Sequence, residues 1–125
     1  MRHLLAAMLL LILVSCFSPE RNCTKFQTGT FSFTSIVLGD TLNSTFVRTD
    51  SIEIDYYLNR TDTASVRWLN DCECIVKKIR PLSYQESKAV HMKILTTEDN
   101  SYTFEYNLVG NSRNKQRGRV TKISD

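Results

Sequence analysis

The chain has little of what many functional classes need. It holds 4 glycines, 2 prolines and 2 histidines in 125 residues. The glycines form no phosphate-binding array, so no nucleotide cradle is indicated. No zinc or calcium motif is present, and no cofactor is implied. The charge is nearly balanced, with 16 basic residues against 13 acidic and a net charge of +3. That falls short of the strongly basic face of a nucleic-acid binder. The apolar run Leu4 to Val14 stops short of the roughly 20 residues that a helix needs to span a bilayer.

What is present at the start is a secretion signal. Met1-Arg2-His3 supplies a basic tip, Leu4 to Val14 an apolar stretch, and Ser15 a small residue before a cut. A cysteine follows at once. Leu13-Val14-Ser15-Cys16 resembles the bacterial lipobox, in which the cysteine at the cut becomes the acylated N-terminus. The alternative is an ordinary secretory signal with an incidental cysteine. Each buried CH₂ contributes about 0.8 kcal/mol, so several acyl chains on Cys16 would anchor the domain stably. The expected division is a signal peptide over 1–15, a lipidated tether over 16–24 and one β domain over 25–125. The expected location is the bacterial cell envelope, on the outer membrane in preference to the inner, facing the periplasm or the cell surface.

Three further cysteines remain: Cys23, Cys72 and Cys74. An exported chain can keep disulfides, and an odd count leaves one thiol over. Cys72 and Cys74 would share one face of a strand, and a bridge between them would close a strained ring. The spacing therefore leaves Cys23 to pair with Cys72, which is favoured, or with Cys74. A site of three thiolates would lack a fourth ligand at suitable spacing.

The rest reads as strand after strand. Lys25 to Phe33 alternates, with a face switch at Gly29 that predicts a bulge or bend. Leu38-Gly39-Asp40 is a turn, and Leu42 to Thr49 a strand. Ser51 to Leu58 places Ile52, Ile54, Tyr56 and Leu58 on one face, read as the dry one. Glu53, Asp55 and Tyr57 fall on the other, read as the solvated one. Thr63 to Leu69 sets Ala64, Val66 and Trp68 inward. Strands over Cys72 to Ile79, Ala89 to Thr96, Ser101 to Leu108 and Arg117 to Ile123 follow. Ser83-Tyr84-Gln85-Glu86 matches a capping box, predicting one short helical turn near 83–88. Eight strands on short connections predict an all-β antiparallel meander closed into a small barrel or sandwich.

No catalytic site emerges. His91 falls on the wet face of its strand, and Glu53 with Asp55 reads as a solvated surface. The densest basic cluster is Arg113, Lys115, Arg117 and Arg119, a candidate contact for anionic headgroups or a partner, or simply a solvated hairpin tip. Asn22-Cys23-Thr24, Asn43-Ser44-Thr45 and Asn59-Arg60-Thr61 would be sugar acceptors if the chain were a eukaryotic secreted glycoprotein, a distant alternative.

Six segments carry a wider resemblance: Asn22-Cys23-Thr24, Thr28-Gly29-Thr30-Phe31, Arg48-Thr49-Asp50, Val66-Arg67-Trp68, Asp71-Cys72-Glu73 and Tyr102-Thr103-Phe104. In this they resemble a family of short flavobacterial-type envelope lipoproteins with a lipocalin-like barrel. The resemblance spans nearly the whole mature chain and implies no established activity. In that pattern an aromatic usually stands where Cys74 does, which implies a Cys23–Cys72 bridge with Cys74 spare. Chains that resemble this one are sometimes labelled DNA topoisomerase IV. An exported chain this short cannot hold a catalytic-tyrosine DNA-binding domain with ATPase and magnesium sites.

Two functions are expected to compete. One is a non-catalytic interaction or accessory protein of the envelope, with a barrel filled by Phe31, Phe33, Phe46, Tyr56, Trp68, Tyr102, Phe104 and Tyr106. The other is a lipocalin-like carrier of a small apolar ligand. The first is slightly favoured, and a cavity of about 300 Å³ or more would favour the second.

Overall fold

Alternation of apolar and polar residues on short connections produces eight antiparallel strands in the computed structural model, which describes residues 21–125 and, for Ile36 and Val37, the backbone alone. The strands are β1 (Gly29–Val37), β2 (Asp40–Arg48), β3 (Ile52–Tyr57), β4 (Arg60–Asn70), β5 (Glu73–Lys78), β6 (Val90–Thr97), β7 (Ser101–Leu108) and β8 (Gln116–Ser124). Each pairs with the next, and β8 returns to β1, so the sheet closes as an up-and-down barrel. Closure leaves no unpaired sheet edge. The expected all-β fold is the observed one, as a barrel and not a sandwich.

The two ends differ. The lower end holds the turns β2–β3, β4–β5 and β6–β7, and a 3₁₀ turn over Thr24–Phe26 plugs it. Phe26 is fully buried and meets Tyr102 edge-on at 5.3 Å between ring centroids. Cys23 is bonded to Cys72, 49 residues away, with 5.1 Å between their Cα atoms. Cys74 is the buried free thiol. The segment expected to be a loose tether up to residue 24 is thus fastened at its end. Arg21 Nη1 donates to the Ile94 carbonyl at 3.0 Å, and the Asn22 N–H to Thr97 Oγ1 at 2.9 Å. Phe26, expected in the first strand, lies in the plug. Gly29, at φ +135°, turns the chain from plug to β1, and the β1–β8 register shifts beside it at Thr30 and Phe31. Cys16 lies outside the described residues.

The core fills the lower half. Phe31, Ile94 and Cys74 are fully buried, with Val66, Met92, Tyr102 and Val120 around them and Trp68 packed against the cluster. Gly118 on β8 lets rings approach its backbone: a Cβ there would stand 2.8 Å from Phe104 and 3.0 Å from Phe33.

One strand is turned over relative to expectation. Glu53 and Asp55 face the interior, while Ile52 and Tyr56 are exposed. Directly opposed residues on neighbouring strands share a face. Asp55 pairs with Phe46, and Glu53 pairs with Arg48 and Ala64. Phe46, Arg48 and Ala64 are buried, so they carry the two carboxylates inward with them. Tyr56, expected among the filling aromatics, therefore lies outside. The segment expected as a helical turn near 83–88 is a hydrogen-bonded turn. Ser83 Oγ accepts from the Glu86 N–H at 3.2 Å, and the Ser83 carbonyl from the Ser87 N–H at 3.1 Å. The Glu86 carboxylate reaches back to the Leu82 N–H at 2.8 Å, so the capping contacts form without a helix behind them.

The bridge restrains about 50 residues in the unfolded chain, which corresponds to roughly 4 kcal/mol in the chain-entropy model. Replacing Cys23 and Cys72 together by alanine is expected to lower urea-unfolding stability by about that much. An unchanged midpoint would show that the bridge is dispensable.

Candidate ligand site

The interior above the core is not filled. A cavity of about 290 Å³ opens there, close to the size at which a ligand becomes the better explanation. One wall is apolar and aromatic: Phe33, Val76, Val90, Met92, Phe104 and Tyr106. The facing wall carries Ser44, Glu53 and Asp55, with Arg48 at its foot.

Arg48 closes β2 on the same face as Phe46 because the two are separated by one residue on a strand. It is buried, with 4% of its surface exposed. Its Nε donates to Glu53 Oε2 at 2.8 Å, its Nη1 to the Phe26 carbonyl at 3.0 Å and its Nη2 to the Tyr102 hydroxyl at 3.2 Å. The guanidinium also stands 5.1–5.8 Å from the ring centres of Phe31, Phe46 and Trp68. Burial alone would disfavour its charge, but Tyr102 and Glu53 outweigh that effect and hold it protonated. Above it, Asp55 has no cation within ion-pair distance among the described residues. Burial, then the neighbouring Glu53 charge, pushes its carboxyl up to about 7. At neutral pH the cavity thus holds one carboxyl poised between its two states.

The open end has its own character. Its four connections each expose a large apolar side chain: Leu38, Leu58, Leu82 with Tyr84, and Val109. Leu38 and Leu58 open two-residue hairpin turns at φ +52°, a conformation usually left to glycine, asparagine or aspartate. Beneath this rim, on the inward face of β4 and β5, Lys78 stands near Asp62, and it also meets Glu86, at 3.6 and 2.9 Å.

The basic cluster is divided. Arg113 lies in the β7–β8 connection at the open end, while Lys115 and Arg117 flank Glu105 at 3.9 Å each. Arg119 is bound to Glu98 at 2.8 Å and to Ser101 Oγ at 2.8 Å, beside the β6–β7 turn of the closed end. The four residues do not form one patch. His91 sits on the outer wall, 3.1 Å from Glu73, away from the cavity. Burial pushes the Cys74 thiol up to about 12, so it is an unreactive core group. Among the described residues no cluster of three or more His, Cys, Asp or Glu could hold a metal, and no helix is long and apolar enough to cross a membrane.

Arg48 and the inward carboxylates were missed by sequence reasoning. The signal for Arg48 was present in its spacing from Phe46. The signal for Asp55 was not, because it depends on the register with β2. No family model, curated protein or solved structure matches the chain.

Asp55 has a stability consequence. In the unfolded chain an aspartate titrates near 4. Between about pH 4 and pH 7 the folded state thus holds more protons than the unfolded state, and stability falls as pH rises through that window. Asp55→Asn removes this dependence. The variant is expected to match the parent near pH 4 and exceed it near pH 8 by on the order of 2–4 kcal/mol. Parallel unfolding curves across that range would refute the assignment.

Proposed function

We propose that this chain is a lipid-anchored bacterial envelope protein whose barrel binds a small, largely apolar ligand through its open end. The observation that carries the reading is the cavity of about 290 Å³ with an aromatic wall, set above a densely packed base. A barrel needed only as a docking block gains stability from filling that space. Keeping it open, with a desolvated carboxyl inside, is a cost that ligand binding explains.

The anchor fits the same arrangement. Arg21, Asn22 and Cys23 are fastened at the closed end, so the four residues 17–20 would link a lipidated Cys16 to that end. The mouth is then free to meet a ligand. A flavobacterial-type envelope lipoprotein, suggested by the six motif segments, suits this architecture. The rim supports a second reading, an interaction protein of the envelope. The exposed Leu38 and Leu58 at the two tight hairpin tips are apolar surface that a partner could cover.

Native mass spectrometry of the purified full chain tests the ligand reading. A small-molecule adduct is expected on the parent and not on Val90→Phe, which fills the cavity from its upper wall. An adduct that persists in this variant sits elsewhere, and no adduct on the parent counts against a resident ligand. The anchor is tested separately: Cys16→Ser should move the protein from the membrane fraction to the soluble exported fraction or leave its signal uncut. A variant that is cut normally and stays on the membrane would remove the lipid anchor.

A further inference from the structure

The two walls of the cavity are chemically unlike and stand across from each other. β3 presents Glu53 and Asp55, and β7, four strands away around the closed sheet, presents Phe104 and Tyr106. The charged groups that face Asp55 are Glu53 on its own strand, Arg48 on β2, Asp62 on β4 and Lys78 on β5. Tyr102 and Tyr106 line the cavity from β7. Glu53 is matched by Arg48 at 2.8 Å, Asp62 lies near Arg60 at 3.7 Å and Lys78 at 3.6 Å, and Lys78 also meets Glu86 at 2.9 Å. These charges cancel in pairs. The state of Asp55 therefore sets the net charge of the cavity, which is neutral or negative and never positive.

That balance selects among ligands. An anion would meet two carboxylates, and the cation that lines the cavity, Arg48, is already engaged by Glu53, Tyr102 and the Phe26 carbonyl. A wholly apolar ligand would seal Asp55 away from water without a partner, which is unfavourable for a carboxylate. A cation with an apolar body satisfies both walls. Its charge meets a carboxylate on one side, and its edge meets the negative faces of aromatic rings on the other.

We propose that the cavity takes a small organic cation, an ammonium compound with an aromatic or aliphatic body, its charge held by Asp55 and its body laid against Phe104 and Tyr106. This rests on the ligand-cup reading above and names the chemical class of the ligand. Binding favours the ionised carboxyl, so below pH 7 a proton leaves Asp55 as the ammonium enters. An alkylammonium keeps its own charge throughout this range, as a lysine does.

The test is calorimetric titration of the full chain in detergent micelles with 2-phenylethylamine, 2-phenylethanol and 3-phenylpropionate. These share a shape and are cationic, neutral and anionic. The amine should bind tightest near pH 8. Near pH 5.5 it should bind roughly thirtyfold more weakly, because only the small ionised fraction of Asp55 is competent there. The alcohol should show no such dependence. Asp55→Asn should retain alcohol binding and lose the preference for the amine by tenfold or more. Equal affinity for all three compounds, or a preference for the propionate, overturns the cation proposal and leaves the cup intact. Unchanged amine selectivity in Asp55→Asn overturns the role of Asp55. If none of the three binds, the proposal fails, and the adduct measurement on the parent and Val90→Phe decides whether the cup fails with it.

Discussion

The buried Arg48 guanidinium is the interaction on which the rest of the barrel depends. It joins four parts of the chain: the plug through the Phe26 carbonyl, β2 through its own backbone, β3 through Glu53 and β7 through Tyr102. A buried charge is tolerated only when its hydrogen bonds are filled and a counter-charge is close. Glu53 provides the counter-charge at 2.8 Å, and three aromatic rings cover the guanidinium. This requirement also explains why β3 is turned with its acidic face inward. With Ile54 and Tyr56 pointing in, Arg48 would lose its carboxylate and remain as an uncompensated charge in the core.

From that pair the molecule divides into two halves of different purpose. Below it, Phe26, Phe31, Tyr102, Ile94 and Cys74 pack densely, and the Cys23–Cys72 bridge holds the plug against the β4–β5 turn. The plug is further held by Lys25 donating to the Asp99 carbonyl and Lys122 to the Lys25 carbonyl. Above the pair, side chains recede and leave the cavity. Stability is concentrated where the chain enters the barrel. The mouth carries the features that work against stability: an unpaired carboxyl, two leucines at positive φ and exposed apolar tips. Departures from local preference that lack a structural gain tend to gather where a protein meets its ligand. Here they gather at one end.

The basic residues show how proximity in sequence can mislead. Arg113, Lys115, Arg117 and Arg119 look like one cluster over seven positions. Arg113 and Lys115 stay in the β7–β8 connection at the open end, while β8, rising about 3.3 Å per residue, carries Arg117 and Arg119 toward the other end. Glu105 on the outer wall and Glu98 in the β6–β7 turn meet three of them. What is left at the open end is an apolar rim with scattered charge.

Much of this was legible in the chain itself. Period-two alternation located the eight strands, and short polar connections made them antiparallel, because such patterns depend only on neighbouring residues. Gly29 announced the bend that turns the plug into β1, and resemblance to an envelope-lipoprotein pattern singled out Cys72 as the partner of Cys23. The orientation of β3 was not legible. Ile52, Ile54 and Tyr56 alternate with Glu53 and Asp55, and hydrophobicity alone puts the first set inside. The pairing of Asp55 with Phe46 and of Glu53 with Arg48 and Ala64 decides otherwise, and those partners are set by register across strands. The cavity was equally hidden, since the same aromatic residues can fill a barrel or line it. By itself the sequence determined which segments are strands and where they turn, through local periodicity and turn chemistry. Only the closed sheet decided which face of β3 lies inside and how much space remains there, because both depend on the register between strands distant in sequence.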